Sequence, residues 1–331
     1  MRKKIAFGWY GGKFSHLDWL LPLLPKTKHF CEPFGGSAAV LLNREPSPIE
    51  TYNDLDGEVV NFFRVLRDNK DELIEKIGLT PFSREEFELA ITQSSVEIDD
   101  IERARRFFIL ARQVRSGLAQ TASNGRWAHC KLTSRAGMGG AVSRWLGSVE
   151  KLPEIAERLL RVQLESAPAI DVIKRYDSKE TLFYCDPPYP HESRGDKNAY
   201  AYEMKDEDHR ILSETLHQVQ GKVALSSYHC ELMNELYSDW MYIESPEKQC
   251  HSVKKPRVEV LWVNYDPYEL NRQPEDSACP LPQRCPFHRQ LLSPPFPLSL
   301  IEAPWHPRKL IPNGAASSPR SRPKPSRRRG S

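Results

Sequence analysis

Seven cysteines are scattered along the chain without one Cys-x-x-Cys pair. That spacing argues against a zinc site, and the scatter argues against a disulfide scaffold, so a reducing, cytoplasmic compartment is expected. No apolar run approaches the roughly 20 residues that a membrane span needs. The first residues, Met1-Arg2-Lys3-Lys4-Ile5-Ala6-Phe7, are basic but lack the apolar stretch of a signal peptide. The G-x-G-x-x-G fingerprint is missing, which weakens a nicotinamide-dinucleotide reading. No repeat of solenoid period is present. One long stretch lacks charge of one sign. Residues 103–149 contain no Asp or Glu and nine bases: Arg103, Arg105, Arg106, Arg112, Arg115, Arg126, Lys131, Arg135 and Arg144. A solvated surface normally mixes signs, so this segment reads as a polyanion-binding face.

What remains is an ordinary globular composition, 39% hydrophobic and 27% charged over 331 residues. The net charge of +3 conceals an asymmetry. Residues 269–331 hold 11 of the 47 Lys and Arg but only 4 of the 44 Asp and Glu, so the rest is net acidic. That tail also holds about half of the 27 prolines and no periodicity, and is expected to be disordered.

The body alternates strand-like and helix-like segments. Strand signals fall at His29–Phe34, Ile49–Tyr52, Arg161–Leu164, Thr181–Cys185, Val223–Tyr228 and Glu259–Tyr265. Helical spacing marks Val59 to Leu66, Ala169 to Tyr176 and Ile211 to Val219. This rhythm predicts an α/β fold, a mostly parallel sheet with helices on both faces. It breaks between residues 80 and 160, where helices at Glu102–Arg115 and Leu152–Leu160 flank a middle rich in Gly, Ser and Arg. A catalytic domain of residues 1–79 and 161–268, interrupted by a mainly helical insert over 80–160, is expected.

Three motifs carry chemistry. Glu32-Pro33-Phe34-Gly35-Gly36-Ser37 sits where a strand meets a helix, so backbone N–H groups can approach a ligand. Asp54, at the end of the next strand, is placed to accept hydrogen bonds from ribose hydroxyls. The run Thr181 to Tyr189 is a buried strand ending in Asp186-Pro187-Pro188-Tyr189. A carboxylate, a rigid corner and an exposed aromatic ring suit the exocyclic amino group of a flat heterocycle, although the same residues also make an ordinary turn. Trp9-Tyr10-Gly11-Gly12-Lys13 is a further Gly turn, either a plain N-terminal turn or a stacking site with a cation.

In this order, Trp9 to Lys13, Glu32 to Ser37, Asn53-Asp54 and Asp186 to Tyr189 resemble the DNA amino-methyltransferases, specifically the Dam-type (D12 class) adenine-N6 family. The similarity covers about residues 5–268 and includes the last strand, Glu259 to Tyr265. The resemblance implies a Rossmann-like methyltransferase sheet, S-adenosylmethionine as methyl donor without a metal, and double-stranded DNA as substrate. It implies that Trp9 and Lys13 contact the donor, Lys13 through its methionine carboxylate. Glu32, Phe34, Gly36 and Asp186 would wall the donor pocket and Asp54 would bind its ribose. Asp186 and the Pro187 carbonyl would hold the adenine amino group beside Pro188, with Tyr189 stacked on a flipped base. Either Glu165 or Asp171 is the candidate acid for the donor's adenine. Ala38 stands at the family's last loop glycine, a replacement that is tolerated if the residue has helical φ/ψ. The insert occupies the family's target-recognition position, with Arg112, Arg115, Asn124, Arg126 and Lys131 as candidate DNA contacts. Residues 190–205, with Arg194, Lys197, Tyr200 and Tyr202, would close over the flipped base. Asp before Pro-Pro-Tyr favours adenine over cytosine N4 or an RNA base. An inactive DNA-binding relative is the rival reading, against which stand the intact Lys13, Asp54, Asp186 and Tyr189. A monomer suits the sequence, and a cognate restriction endonuclease is left open as partner.

Overall fold

The computed structural model describes residues 3–92, 98–116, 119, 126–193, 202–246 and 258–269. Asn124, Arg194, Lys197, Tyr200 and the tail beyond Glu269 lie outside these residues. The strands are β1 (His29–Glu32), β2 (Ile49–Asn53), β3 (Ser134–Arg135), β4 (Met138–Gly139), β5 (Gln163–Glu165), β6 (Thr181–Cys185), β7 (Lys222–Ser227), β8 (Met241–Glu244) and β9 (Val260–Val263). Seven form one sheet in the order β5-β2-β1-β6-β7-β9-β8. Neighbours from β5 to β7 run parallel, while β9 is antiparallel to both β7 and β8. This is the Rossmann-like sheet that the alternation predicts.

The chain leaves β1 for β2 on one side and places β6 on the other. That reversal opens a crevice beyond the carboxyl ends of β2, β1 and β6, where ligands of open α/β sheets bind. Glu32, Asp54 and Asp186 stand at those three strand ends. β1 and β6 are buried throughout, as strands covered on both faces must be.

Helix Gly57–Asp68 starts where the Asp56 side chain accepts from Glu58 N–H at 3.0 Å, relieving one unpaired donor. Its apolar face buries Val59, Val60, Phe62, Phe63, Val65 and Leu66. Helix Asp100–Gln113, from the expected insert, packs on that face, and Phe108 stacks on Phe62 at 5.5 Å. Phe7, Phe108, Trp145, Leu152 and Ile155 share this one hydrophobic core. Each such buried side chain stabilises by about 1.5–3 kcal/mol. Helices of the 80–160 segment are therefore anchored in the same core as the sheet.

The middle of that segment holds structure without a period signal in the sequence. Residues β3 and β4 pair as a hairpin through Ala136 and Gly137, both left-handed at φ 52° and 76°. Two central residues with positive φ match the right-handed twist of a tight hairpin. Helix Gly140–Val149 follows directly.

An ion cluster fastens the end of the segment to the sheet. Arg158 donates to both oxygens of Glu50 at 2.5 and 2.7 Å, and to the Leu41 carbonyl at 2.8 Å. Glu50 is 1% exposed, and Arg44 and Arg161 stand 3.6 and 3.7 Å away.

Among the described residues no helix is long and apolar enough to cross a membrane.

Candidate functional site

The loop after β1 is shaped by close packing. A Cβ on Gly35 would lie 2.1 Å from the Tyr52 ring. Gly36, at φ 48°, lies under Trp9, whose Nε1 would be 2.5 Å from a Cβ there. The Tyr52 hydroxyl donates to the Gly36 carbonyl at 2.7 Å. Asp54 closes the loop: one oxygen accepts Gly36 N–H at 2.7 Å and the other Asp56 N–H at 2.8 Å. Asn53 donates to the carbonyls of Pro33 (2.8 Å) and Ala167 (3.0 Å), tying three segments together. Ala38 is left-handed, with φ 54° and ψ 29°, so the condition of helical φ/ψ for tolerating alanine there is not met. It is the N-cap where the chain turns into helix Ala39–Asn43, a geometry natural to glycine, so the departure from the family's glycine carries strain.

A cavity of ≈ 320 Å³ opens beside this loop. Trp9, Phe34, Gly36, Asp54, Asp186 and Pro188 line it, together with Leu55, Asp56 and the run Ala167–Ile170. Tyr202, Glu203 and Met204 complete its wall. A recess of ≈ 20 Å³ holds Lys13 and Glu32, bounded also by Trp9, Phe34, Gly36 and Asp186. The structure thus gathers every sequence-predicted donor residue. Neither Glu165 nor Asp171 lines the cavity. Glu165 accepts from the Tyr176 hydroxyl at 2.6 Å and pairs with Arg175 at 3.0 Å, and Asp171 is exposed. Residues 167–170 form an apolar part of the wall, and the lining acids beyond Asp54, Asp56 and Asp186 are Glu203 and Asp208.

The acids of the site share one electrostatic condition. Burial pushes Asp54 up to about 6, against the lowering effect of the Asp56 and Gly36 N–H groups. Burial likewise raises Asp186 to about 6, with Lys13 pulling down and Glu259 pushing up. Burial raises Glu32 well above the usual carboxylate range. Desolvation of the charged form is the shared cause of all three shifts.

Lys13 and Tyr189 depart from the roles expected of them. Lys13 is 2% exposed and donates to Asp186 at 2.6 and 2.8 Å and to the Gly11 carbonyl at 2.7 Å, with Glu259 at 3.2 Å. Its ammonium is saturated by the protein, so it does not stand open to a donor carboxylate. Tyr189 is not an exposed ring: it is 3% exposed, its hydroxyl donates to Glu259, and its ring meets Tyr228 edge-on at 4.9 Å. Glu259, absent from the sequence motifs, is the residue that joins them.

The basic segment divides in two. Arg103 pairs with Glu58 and Asp100, Arg105 with Glu86 and Glu102, and Arg106 with Glu102. Those three are structural and leave the expected polyanion face. Arg115, Arg126, Lys131, Arg135 and Arg144 are exposed, and Arg115 N–H donates to the Arg126 carbonyl at 2.7 Å. Arg112, Arg135, Arg144 and Lys151 line a cleft of ≈ 420 Å³. Burial and the neighbouring Arg144 guanidinium draw Arg112 down to about 10.

A strand-end acid, a glycine loop and an Asp-Pro-Pro-Tyr turn in one crevice match a known family. The model of the D12 class N6 adenine-specific DNA methyltransferases matches residues 9–252. The chain belongs to this family. It is a D12 class methyltransferase of adenine in DNA. The type II methyltransferase M1.LlaDCHI of Lactococcus lactis subsp. cremoris is 27% identical over 257 residues, 70% of this chain and 84% of that protein. The DNA adenine methylase of Salmonella typhi is 26% identical over 256 residues, 72% and 85% of the two chains. A solved SAM-dependent methyltransferase from Agrobacterium tumefaciens aligns at TM-score 0.33 and 10% identity, over 77% of this chain and 62% of that one.

Proposed function

We propose that this D12 class enzyme holds S-adenosylmethionine in the ≈ 320 Å³ cavity and a flipped adenine of double-stranded DNA against Asp186. The observation that carries the reading is the convergence of Asp54, Gly36 and Asp186 on one cavity at the strand-order reversal.

The residues fit such a donor. Leu55 and Ile170 offer apolar sides for a purine ring, with Trp9 and Phe34 lining the same cavity. Asp54 accepts from ribose hydroxyls, and the site's acids suit a sulfonium and an ammonium. The donor supplies one activated methyl group.

Asp186 and the Pro187 carbonyl accept the two amino protons of adenine, which localises the otherwise delocalised N6 lone pair. The donor would supply its methyl group to N6, leaving as the neutral thioether, and the N6 proton held by Asp186 would pass to that carboxylate and on to solvent. Fixed in-line approach supplies much of the rate. Flipping the base costs a few kcal/mol, in part recovered in the pocket beside Pro188 and Tyr189. Because the Tyr189 ring is packed on Tyr228, it forms a fixed wall and not a mobile stacking platform. Tyr202, Glu203 and Met204 line the donor cavity.

The 80–160 segment is the target-recognition region, seated on the catalytic core of residues 1–79 and 161–268. The β3–β4 hairpin and Arg115, Arg126, Lys131, Arg135 and Arg144 would face the duplex, and the Arg112 cleft would take a backbone phosphate. Asn124 stays a candidate from the sequence alone. Base-resolved mapping of methylation in an expressing host without its own adenine methylation tests the reading. N6-methyladenine at one recurring sequence supports it, and an unmodified genome despite soluble protein contradicts it.

A further inference from the structure

Glu259 has no part in the reading above, yet it touches Tyr189 at one end of the catalytic turn and, through Lys13, is linked to Asp186 at the other. It directly precedes β9 and is 3% exposed. Its Oε1 accepts the Tyr189 hydroxyl and lies 3.2 Å from Lys13 Nζ. The same ammonium donates to both oxygens of Asp186. The backbone of Glu259 is itself pinned, donating to Ser245 Oγ at 3.1 Å and accepting Ser245 N–H at 2.8 Å. A buried carboxylate costs desolvation energy unless its partners repay it. Here one ammonium serves two carboxylates.

We propose that Glu259 is a positioning residue for methyl transfer: it shares the Lys13 charge with Asp186 and holds Tyr189 by its hydroxyl, so that Asp186 faces the target amino group as a strong acceptor. Lys13 paired with Asp186 alone would quench that acceptor. The negative charge of Glu259 opposes the quenching, in keeping with its upward push on Asp186. Its grip on Tyr189 fixes the aromatic wall beyond Pro188. This inference rests on the assignment of Asp186 and Tyr189 to the target base.

The test is E259Q in the full-length enzyme, with labelled donor and unmethylated duplex. Glutamine keeps the shape and one acceptor oxygen but removes the charge. The expected result is a fall in kcat of about tenfold or more, with the donor KM and DNA affinity within about twofold of wild type. The acid limb of kcat moves to lower pH, because Asp186 loses a like-charged neighbour. Wild-type kcat and an unmoved acid limb overturn the proposal. If E259Q does not fold, E259D serves. It keeps the charge on a shorter stem, so its acid limb stays in place while kcat falls, and an unchanged kcat overturns the proposal. D186A separates the two layers. An inactive D186A beside a wild-type-like E259Q removes the role of Glu259 alone, whereas an active D186A removes the site assignment beneath it.

Discussion

Lys13 Nζ lies 2.6 and 2.8 Å from the two oxygens of Asp186, joining residues 173 positions apart in the chain. The N-terminal glycine turn is thereby locked onto the Asp-Pro-Pro-Tyr turn. Removing the ammonium leaves Asp186 and Glu259 facing each other across a buried site. K13M is expected to lose transfer and about 3–5 kcal/mol of stability, read by denaturant unfolding. K13R keeps the charge and is expected to recover part of the stability and less of the activity, since a planar guanidinium does not reproduce the lysine's contacts.

Activity should depend on pH through Asp186, whose raised value of about 6 marks where it ionises. The protonated acid accepts poorly, so kcat rises through about pH 6 and levels above it. Donor affinity should follow the same course through Asp54, also raised to about 6.

The same acids act on stability with a definite sign. A carboxyl whose folded value is raised binds more protons in the native than in the unfolded state between its unfolded value near 3.8 and about 6. Its contribution to stability is therefore lost as pH rises through that window. D54N removes this penalty but disturbs the hydrogen bonds to Gly36 and Asp56. The informative quantity is the difference in Tm between D54N and wild type, which should be more favourable to the variant at pH 7.5 than at pH 4.5.

Glycine substitutions should separate folding from donor binding. A Cβ at Gly35 meets the rigid Tyr52 ring at 2.1 Å, so G35A is expected to cost about 3 kcal/mol or more and to yield little folded protein. G36A meets Trp9, a side chain at the cavity wall, and is expected to fold but to weaken donor binding about tenfold or more by calorimetry.

Charge removal should sort the arginines. Single Ala substitutions of Arg115, Arg126, Lys131, Arg135 and Arg144 are expected to weaken DNA binding, each lowering the salt-dependence slope by about 0.9 where it meets a phosphate. R105A should leave that slope unchanged and reduce stability, because Arg105 is held by Glu86 and Glu102. R158M, which leaves the buried Glu50 only its longer contacts to Arg44 and Arg161, should cost about 3 kcal/mol or less without altering DNA affinity.

The sheet and its crevice were legible because period-two and period-3.6 patterns survive in buried strands and in helices with one buried face. Trp9, Gly36, Asp54 and Asp186, singled out by motif order, line one cavity. Long-range partners were not legible. Nothing near Tyr189 indicates that Glu259, 70 residues away, buries its hydroxyl. Arg103 and Arg105 looked free inside an acid-free window, but their partners Glu58 and Glu86 lie outside it. The β3–β4 hairpin was hidden because its two-residue strands are too short to show a period, and Ala136 occupies a turn position where glycine or asparagine would signal it. Ala38 is left-handed as well, and only the family's glycine at that position hints at it.

The central claim is that Asp186 receives the amino group of an adenine. The most direct measurement is transfer of labelled methyl from S-adenosylmethionine to unmethylated duplex DNA, followed by digestion to nucleosides. The account predicts label in N6-methyldeoxyadenosine with wild-type enzyme and none with D186A. Label in another nucleoside, or equal transfer by D186A, would contradict it.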